Sequence, residues 1–183
     1  MYFGGTIGRS ISGAFIDSNE GNIMAGYFFS EDWGVEFTYT KANGVTNKVH
    51  DAVNSQVGGV AFFKKIDTAM SAMLMWSPFY SKINTFNKIF YYDWLFGLGV
   101  SNISTLDNRN EFAGGSNSDE LTSESESAVA WMTGFRFYIN QHWSSRIDLR
   151  ATHANTDMTI DTGKTEKRWN NYYNFNIGLN YAF

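Results

Sequence analysis

The last fifteen residues, 169–183, restrict the fold more than any other stretch: WNNYYNFNIGLNYAF. Every second residue gives Trp169, Asn171, Tyr173, Phe175, Ile177, Leu179, Tyr181 and Phe183. After the first pair this row is wholly aromatic or aliphatic. The other row, Asn170, Tyr172, Asn174, Asn176, Gly178, Asn180 and Ala182, is polar or small apart from Tyr172. Successive side chains of a strand point to opposite faces, so this is a strand with one apolar and one wet face. A half-buried strand of a soluble β-sandwich can alternate in the same way. The length of the stretch, and an apolar face that is aromatic at both ends and aliphatic between, fit a strand crossing two membrane interfaces instead.

Composition agrees. The mean hydropathy is −0.30, and no apolar run approaches the roughly 18 residues a spanning helix needs. A transmembrane barrel escapes that test because only alternate residues face lipid. Aromatic residues make up 17% of the 183, and Pro78 is the only proline. A chain whose backbone must pair almost everywhere tolerates few prolines. There is no cysteine, which excludes disulfides and thiolate metal sites. The net charge of −4 argues against nucleic acid as a partner. No leader segment is visible, and export requires one, so the chain reads as a mature sequence.

Taken in order, the chain yields eight candidate strands. The first, 2–15, places Phe3, Ile7, Ile11 and Phe15 in one row together with Arg9, so its register stays open between a bulge and a poor lipid face. Residues 16–21 read as a loop. The second strand is 22–30 and the third 33–42, the latter with Trp33, Val35, Phe37 and Tyr39 outward and Glu36 inward. Residues 43–68 read as a long connection, with room for a helical turn or a strand extension at 60–66. The fourth strand, 69–83, has apolar residues on both faces. The fifth, 89–102, sends Phe90, Tyr92, Trp94, Phe96, Leu98 and Val100 outward and Tyr91, Asp93, Gly97 and Gly99 inward. Residues 103–127 read as an acidic loop. The sixth strand, 128–139, has Val129, Trp131, Phe135, Phe137 and Ile139 outward, with Arg136 and Tyr138 inward. The seventh, 143–155, has Trp143, Ile147, Leu149 and Ala151 outward, with Arg146, Asp148 and Arg150 inward. A polar loop at 156–168 leads into the eighth.

Short connections follow strands two, four and six, and longer ones follow one, three, five and seven. That alternation predicts an all-β fold: an eight-stranded, antiparallel, up-and-down transmembrane β-barrel, with one domain over 1–183 and both termini at the periplasmic side.

Particular residues carry a family resemblance. The terminal Phe183, with Tyr181, Leu179, Ile177, Phe175 and Tyr173 before it, resembles the C-terminal assembly signal of bacterial outer-membrane barrels. This implies folding by the barrel-assembly machinery. Residues 78–82 (PFYSK), then 91–95 (YYDWL) and Gly97-Leu98-Gly99, are similar to the outer membrane beta-barrel domain proteins of myxobacteria and Bdellovibrio-like bacteria. Ser81 stands where members of that family usually carry glycine. Residues 135–138 (FRFY), Trp143 and 146–150 (RIDLR) fit the same pattern. Residues 27–29 (YFF) and 33–36 (WGVE) resemble OmpA- and OmpX-type barrels. The resemblance implies the fold and an outer-membrane location in a Gram-negative envelope. It implies little about activity.

The candidate site is a lumen charge network of Glu36, Asp93, Arg136, Arg146, Asp148 and Arg150, with Arg9 and Lys82 as further inward candidates. An eight-stranded interior is just filled by side chains, and buried charges there must be paired. Two readings follow: a salt-bridged plug, or a narrow ion path with a bias towards anions. A second group, Trp33, Trp94, Trp131, Trp143, Trp169, Tyr181 and Phe183, reads as membrane-interface girdles. The stretch around His153 (RATHAN, 150–155) loosely resembles the strand motif of lipid A deacylases. Asn155 stands where such an enzyme has its serine, so no nucleophile is paired with the histidine. His50, His142 and His153 are too scattered for a metal site, and the acidic stretch 107–126 lacks calcium-loop spacing.

The expectation is therefore a non-enzymatic barrel without cofactor or metal. Its plugged lumen would serve as a scaffold for outer loops that meet lipopolysaccharide or a protein. The rival readings are a small-conductance pore, a lipid-modifying enzyme and a subunit of a larger envelope complex. Ser71, Thr133 and Ser145 read as outward polar positions.

Overall fold

A computed structural model describes residues 1–12, 16–46, 64–85, 88–108, 121–161 and 164–183. The strands are β1 (Tyr2–Ser10), β2 (Ile16–Phe28), β3 (Trp33–Thr46), β4 (Lys64–Thr85), β5 (Lys88–Asp107), β6 (Thr122–Tyr138), β7 (Trp143–Asp161) and β8 (Lys164–Ala182). Each pairs antiparallel with its neighbours in sequence, and β1 pairs with β8 to close the ring. Closure gives every strand of the ring a partner on both sides, which is what allows strands to stand in lipid. Two of the tight connections are held by their own side chains. Ser30 Oγ accepts from the Trp33 amide at 3.0 Å. Asn140 Oδ1 accepts from the amides of His142 and Trp143 at 2.9 and 2.8 Å, an Asx-type turn.

The alternation predicted from the sequence sets the two faces. Phe37, Leu98, Phe175, Ile177 and Leu179 lie exposed on the outside, as residues do that meet lipid rather than water. Neighbouring rings form a ladder around part of this belt, from Trp33 to Trp76 (5.9 Å between centroids), to Phe96 (5.8 Å) and to Trp94 (5.0 Å). Two outward indoles find partners in the wall itself: Trp94 donates to Thr133 Oγ1 at 2.9 Å, and Trp131 to His153 Nε2 at 2.8 Å. The ambiguous β4 resolves with Met73, Met75 and Ser77 buried inside and Met70, Leu74 and Trp76 exposed outside.

Several expectations are corrected. Arg9 does not enter the lumen. Its strand pairs without a bulge, Arg9 opposite Asn19 and Phe175, so it keeps the outward parity of Phe3 and Ile7 and is exposed. Near the end of β1, its long side chain can carry the charge to the interface. Lys82 and Tyr91 have inward parity but are exposed, because their hairpin runs past the end of the neighbouring strands. Ser71 faces the interior and donates to Ser101 Oγ at 3.0 Å, whereas Thr133 and Ser145 are outward.

Strand ends are the other correction. β1 stops at Ser10, although Ile11 still donates to the Tyr173 carbonyl at 2.8 Å; Phe15 lies outside the described residues. Segments read as loop, 16–21, 43–46, 103–107, 122–127 and 156–161, belong to strands. So do 164–168 at the start of β8. Of the strand extension allowed at 60–66, residues 64–66 are strand and run on through 67–68 in β4, while 60–63 lie outside the described residues. The wall therefore rises beyond the apolar belt at the end carrying the longer connections. There both faces are polar: Ser125 donates to Asn102 at 3.0 Å outside, while Glu124 and Glu126 take up Lys64 inside. His50 and the rest of 47–63 and 109–120 lie outside the described residues.

Candidate functional site

The centre of the lumen is a four-charge cluster set by parity on two strands. Glu36 projects inward from β3; Arg146, Asp148 and Arg150 are successive inward positions of β7. Glu36 Oε1 lies 2.8 Å from an Arg150 Nη and 3.3 Å from an Arg146 Nη, while the second Arg146 Nη donates to Oε2. Asp148 bridges the same two cations, 2.7 Å from Arg146 Nε and 3.2 Å from Arg150 Nε. Two carboxylates thus meet two guanidiniums, and the cluster is neutral. All four side chains are at most 7% exposed. Tyr2 donates its hydroxyl to Glu36 Oε2 at 2.5 Å. Arg150 donates to Thr38 Oγ1 at 3.0 Å.

Further pairs sit along the barrel from this cluster. Towards the tight turns, Asp93 accepts from Arg136 Nε at 3.1 Å and from Tyr138 at 2.5 Å. The Arg136 guanidinium lies 5.0 Å from the Phe28 ring centroid and 5.3 Å from that of Tyr138, within cation–π range. An amide layer includes Asn22, which donates to Thr6 and to Asn176, both at 3.0 Å, and accepts from Thr40 at 2.5 Å. Glu20 joins it through Asn174 at 2.7 Å. Towards the longer connections, Lys64 lies 2.7 Å from Glu126 and 2.9 Å from Glu124.

Beside the quartet, the inner wall on β4, β5 and β6 carries apolar residues. Met73, Met75, Leu95, Ala130 and Met132 form one buried cluster, with Phe28 packed against it. Ala69, Ile103, Ala128 and Ala154 form another. Methionine also meets the charges directly: Met24 Sδ is 3.4 Å and Met132 Sδ 3.9 Å from the Arg146 guanidinium. A flexible thioether suits an irregular gap beside a cation. Neither amide atom of Asn180, itself 2% exposed, has a hydrogen-bond partner among the described residues.

All six charges expected inside are inside, and they group as a pair, Asp93–Arg136, and a quartet, Glu36–Arg146–Asp148–Arg150. Tyr2, Glu20, Asn22 and Asn176 were missed as members. Asn174, Asn176 and Asn180 stand in the wet row of the last strand, so their inward parity was readable. Glu20 was not, because its segment looked like a loop. The seven girdle aromatics all lie on the outer wall, as does the row Tyr173, Phe175, Ile177, Leu179, Tyr181 and Phe183. His153 is outward: Nε2 accepts from Trp131, which leaves Nδ1 to donate to Asn171 Oδ1 at 2.6 Å. With both ring nitrogens so engaged, it has no free position from which to activate a hydroxyl. The described residues contain no group of three or more possible metal ligands.

Gly26 shows how tightly this interior is fitted. A Cβ there would come within 2.2 Å of the Tyr2 ring. Gly26→Leu is expected to expel Tyr2 from Glu36 and cost about 1–3 kcal/mol through overpacking. A lowered urea midpoint in lipid vesicles would show this; an unchanged midpoint would contradict the packing described.

A closed ring of eight antiparallel strands, apolar outside and charged within, defines the class of outer-membrane β-barrel proteins. The model for the "Outer membrane protein beta-barrel domain" family matches residues 1–183, and the chain belongs to that family. Its location is the bacterial outer membrane. Among solved structures it is similar to Neisserial surface protein A, with a TM-score of 0.60 and 12% identity over 100% of this chain and 96% of that one. The N-terminal β-barrel domain of Pseudomonas aeruginosa OprF gives 0.55 and 11%, over 100% and 96%. OprG of the same organism gives 0.53 and 14%, over 100% and 94%. At these identities the likeness concerns the fold alone. No curated protein sequence matches the chain.

Proposed function

We propose that this protein is a closed-lumen outer-membrane scaffold without enzymatic activity, working through the segments that join its strands at the longer-connection end. In this reading the tight turns and both termini face the periplasm, and the polar upper wall stands outside. There it meets lipopolysaccharide and a protein or cell-surface partner. Assembly uses the barrel-assembly machinery, through the outward row that ends at Phe183.

The observation that supports the closed lumen is the central quartet. Its four charged side chains are at most 7% exposed, with Met24 and Met132 against one flank. An open path would keep these charges in contact with water, and ions would compete for them. The polar outer wall at Asn102, Ser104, Ser123 and Ser125 supports the orientation, because transmembrane barrels are longer on their external side.

Conductance tests the reading. The folded protein in a planar bilayer, with folding checked by a heat-shift gel, is expected to be electrically silent. Reproducible ion-selective steps would make the quartet a path instead of a plug.

A further inference from the structure

The tight-turn end is not flush. β4 is last joined to β3 through Trp33 opposite Trp76 and a 2.7 Å bond from the Ser77 amide to the Asp32 carbonyl. β5 is last joined to β6 at Tyr92 opposite Phe137. Beyond both points, among the described residues, β4 and β5 pair only with each other, from Lys82 opposite Tyr91 to Thr85 opposite Lys88, while Phe79–Ser81 have already lost β3 but still face β5 residues joined to β6. A two-stranded finger therefore projects past the rim. A register shift between Trp76 and Phe79, at the Ser77–Pro78 step, marks its root.

The finger and its root expose large apolar side chains on both faces, beside the exposed Lys82 and Asn84. Phe79, Tyr80, Ile83, Ile89, Phe90 and Tyr91 are 40–66% exposed. Tyr80 and Tyr91 stack across the strands at 5.8 Å. An isolated hairpin of this kind is marginal in water, so its faces need a cover. Its two edges have the opposite need. Their unpaired backbone groups require water or a partner strand and cannot enter hydrocarbon. Strand addition is discouraged by Pro78, which has no amide to offer, and by Lys82, a usual guard of exposed edges.

One environment satisfies apolar faces and wet edges together: the headgroup layer of the leaflet at the tight-turn end. Two observations point there. The outward row of the finger continues the lipid-facing ladder of the barrel, since Phe79 lies 6.0 Å from Trp94. In addition, the charges between 78 and 91 are Lys82 and Lys88, with no acidic residue. Tyrosine, phenylalanine and lysine together are the composition of a membrane-interface anchor, and the positive charge suits anionic phospholipid.

We propose that the β4–β5 finger is a lipid anchor lying in the headgroup layer at the tight-turn end, with Phe79, Ile83 and Phe90 in contact with lipid and Lys82 on phosphate. The proposal rests on the membrane placement of the barrel and is independent of whether the lumen is closed.

The absence of cysteine makes the test direct. Single spin labels are placed at Ile83→Cys and Phe90→Cys in the full chain, refolded into phosphatidylcholine vesicles with and without phosphatidylglycerol. Asp32→Cys serves as the turn reference and Phe37→Cys as the belt reference, and a heat-shift gel verifies each barrel. The ratio of oxygen to nickel-chelate collision rates at the finger should be several-fold above that at Asp32, below that at Phe37, and higher with the anionic lipid. A ratio equal to that at Asp32 in both vesicles would overturn the proposal. So would shielding that appears only when envelope proteins are added, which would assign the finger to a protein partner. A water-like ratio at Phe37 would instead overturn the membrane placement itself.

Discussion

Glu36→Ala is expected to lower the unfolding free energy by about 3–5 kcal/mol, the cost of stranding a buried charge partner. Glu36 accepts from Tyr2, Thr38, Arg146 and Arg150. Its loss leaves two guanidiniums facing Asp148 alone, so a neutral quartet becomes a buried net cation. Tyr2 loses its hydroxyl acceptor at the same time. The measurement is the urea midpoint of the barrel in lipid vesicles, paired with bilayer recordings. If the quartet is sealed, the midpoint falls steeply, because no water can solvate the stranded cations in place. If the quartet already lines a wet path, they remain hydrated and the loss stays below about 1 kcal/mol, as for solvated ion pairs. The size of the effect therefore separates plug from pore. Asp93→Asn should cost less, because Arg136 is 12% exposed and keeps the faces of Phe28 and Tyr138.

Inside the apolar belt, the fold was legible because period-2 alternation is physically forced there. A residue on β3 such as Phe37 must meet lipid, and Glu36 beside it must not. That single constraint placed the six lumen charges on the correct face without any knowledge of the register. It could not say which charges would meet, since Glu36 and Arg146 are 110 positions apart and face each other across the barrel.

Above the belt the constraint vanishes. The wall continues into water, both faces become polar, and hydropathy no longer marks strand from loop. This is why 103–107 and 122–127 read as an acidic loop. A weaker signal was present in Ser123-Glu124-Ser125-Glu126-Ser127: serine and glutamate alternate with the strand period, the glutamates turn inward, and Glu124 and Glu126 hold Lys64. Arg9 failed for a different reason. At the end of a lipid-facing row a charge is tolerated when its side chain can reach the interface, so charge alone did not define the inward face. The β4–β5 finger was hidden because parity is silent about where the neighbouring strands stop.

Phe37→Arg distinguishes this fold from any soluble barrel by the size of its effect. Phe37 is 61% exposed and is flanked on its face by Val35 and Tyr39, with Ala25 and Ala72 opposite it on the two adjacent strands. In water, replacing so exposed a phenylalanine by arginine would be nearly neutral, within about 0.5 kcal/mol, and would improve solubility. In a bilayer the same change puts a guanidinium on the lipid face, where the expected cost is about 2–4 kcal/mol near the midplane. The row supplies its own calibration. Lys41, two positions past Tyr39 on the same face, lies 2.8 Å from Asp67 and is exposed, so charge returns where the belt ends. Lys41→Arg should accordingly leave the urea midpoint in vesicles unchanged while Phe37→Arg lowers it. Because the substitution touches no lumen residue, it should also leave the bilayer recording as it was. A drop in stability without a change in conductance would assign the outer wall to lipid and the inner charges to one another.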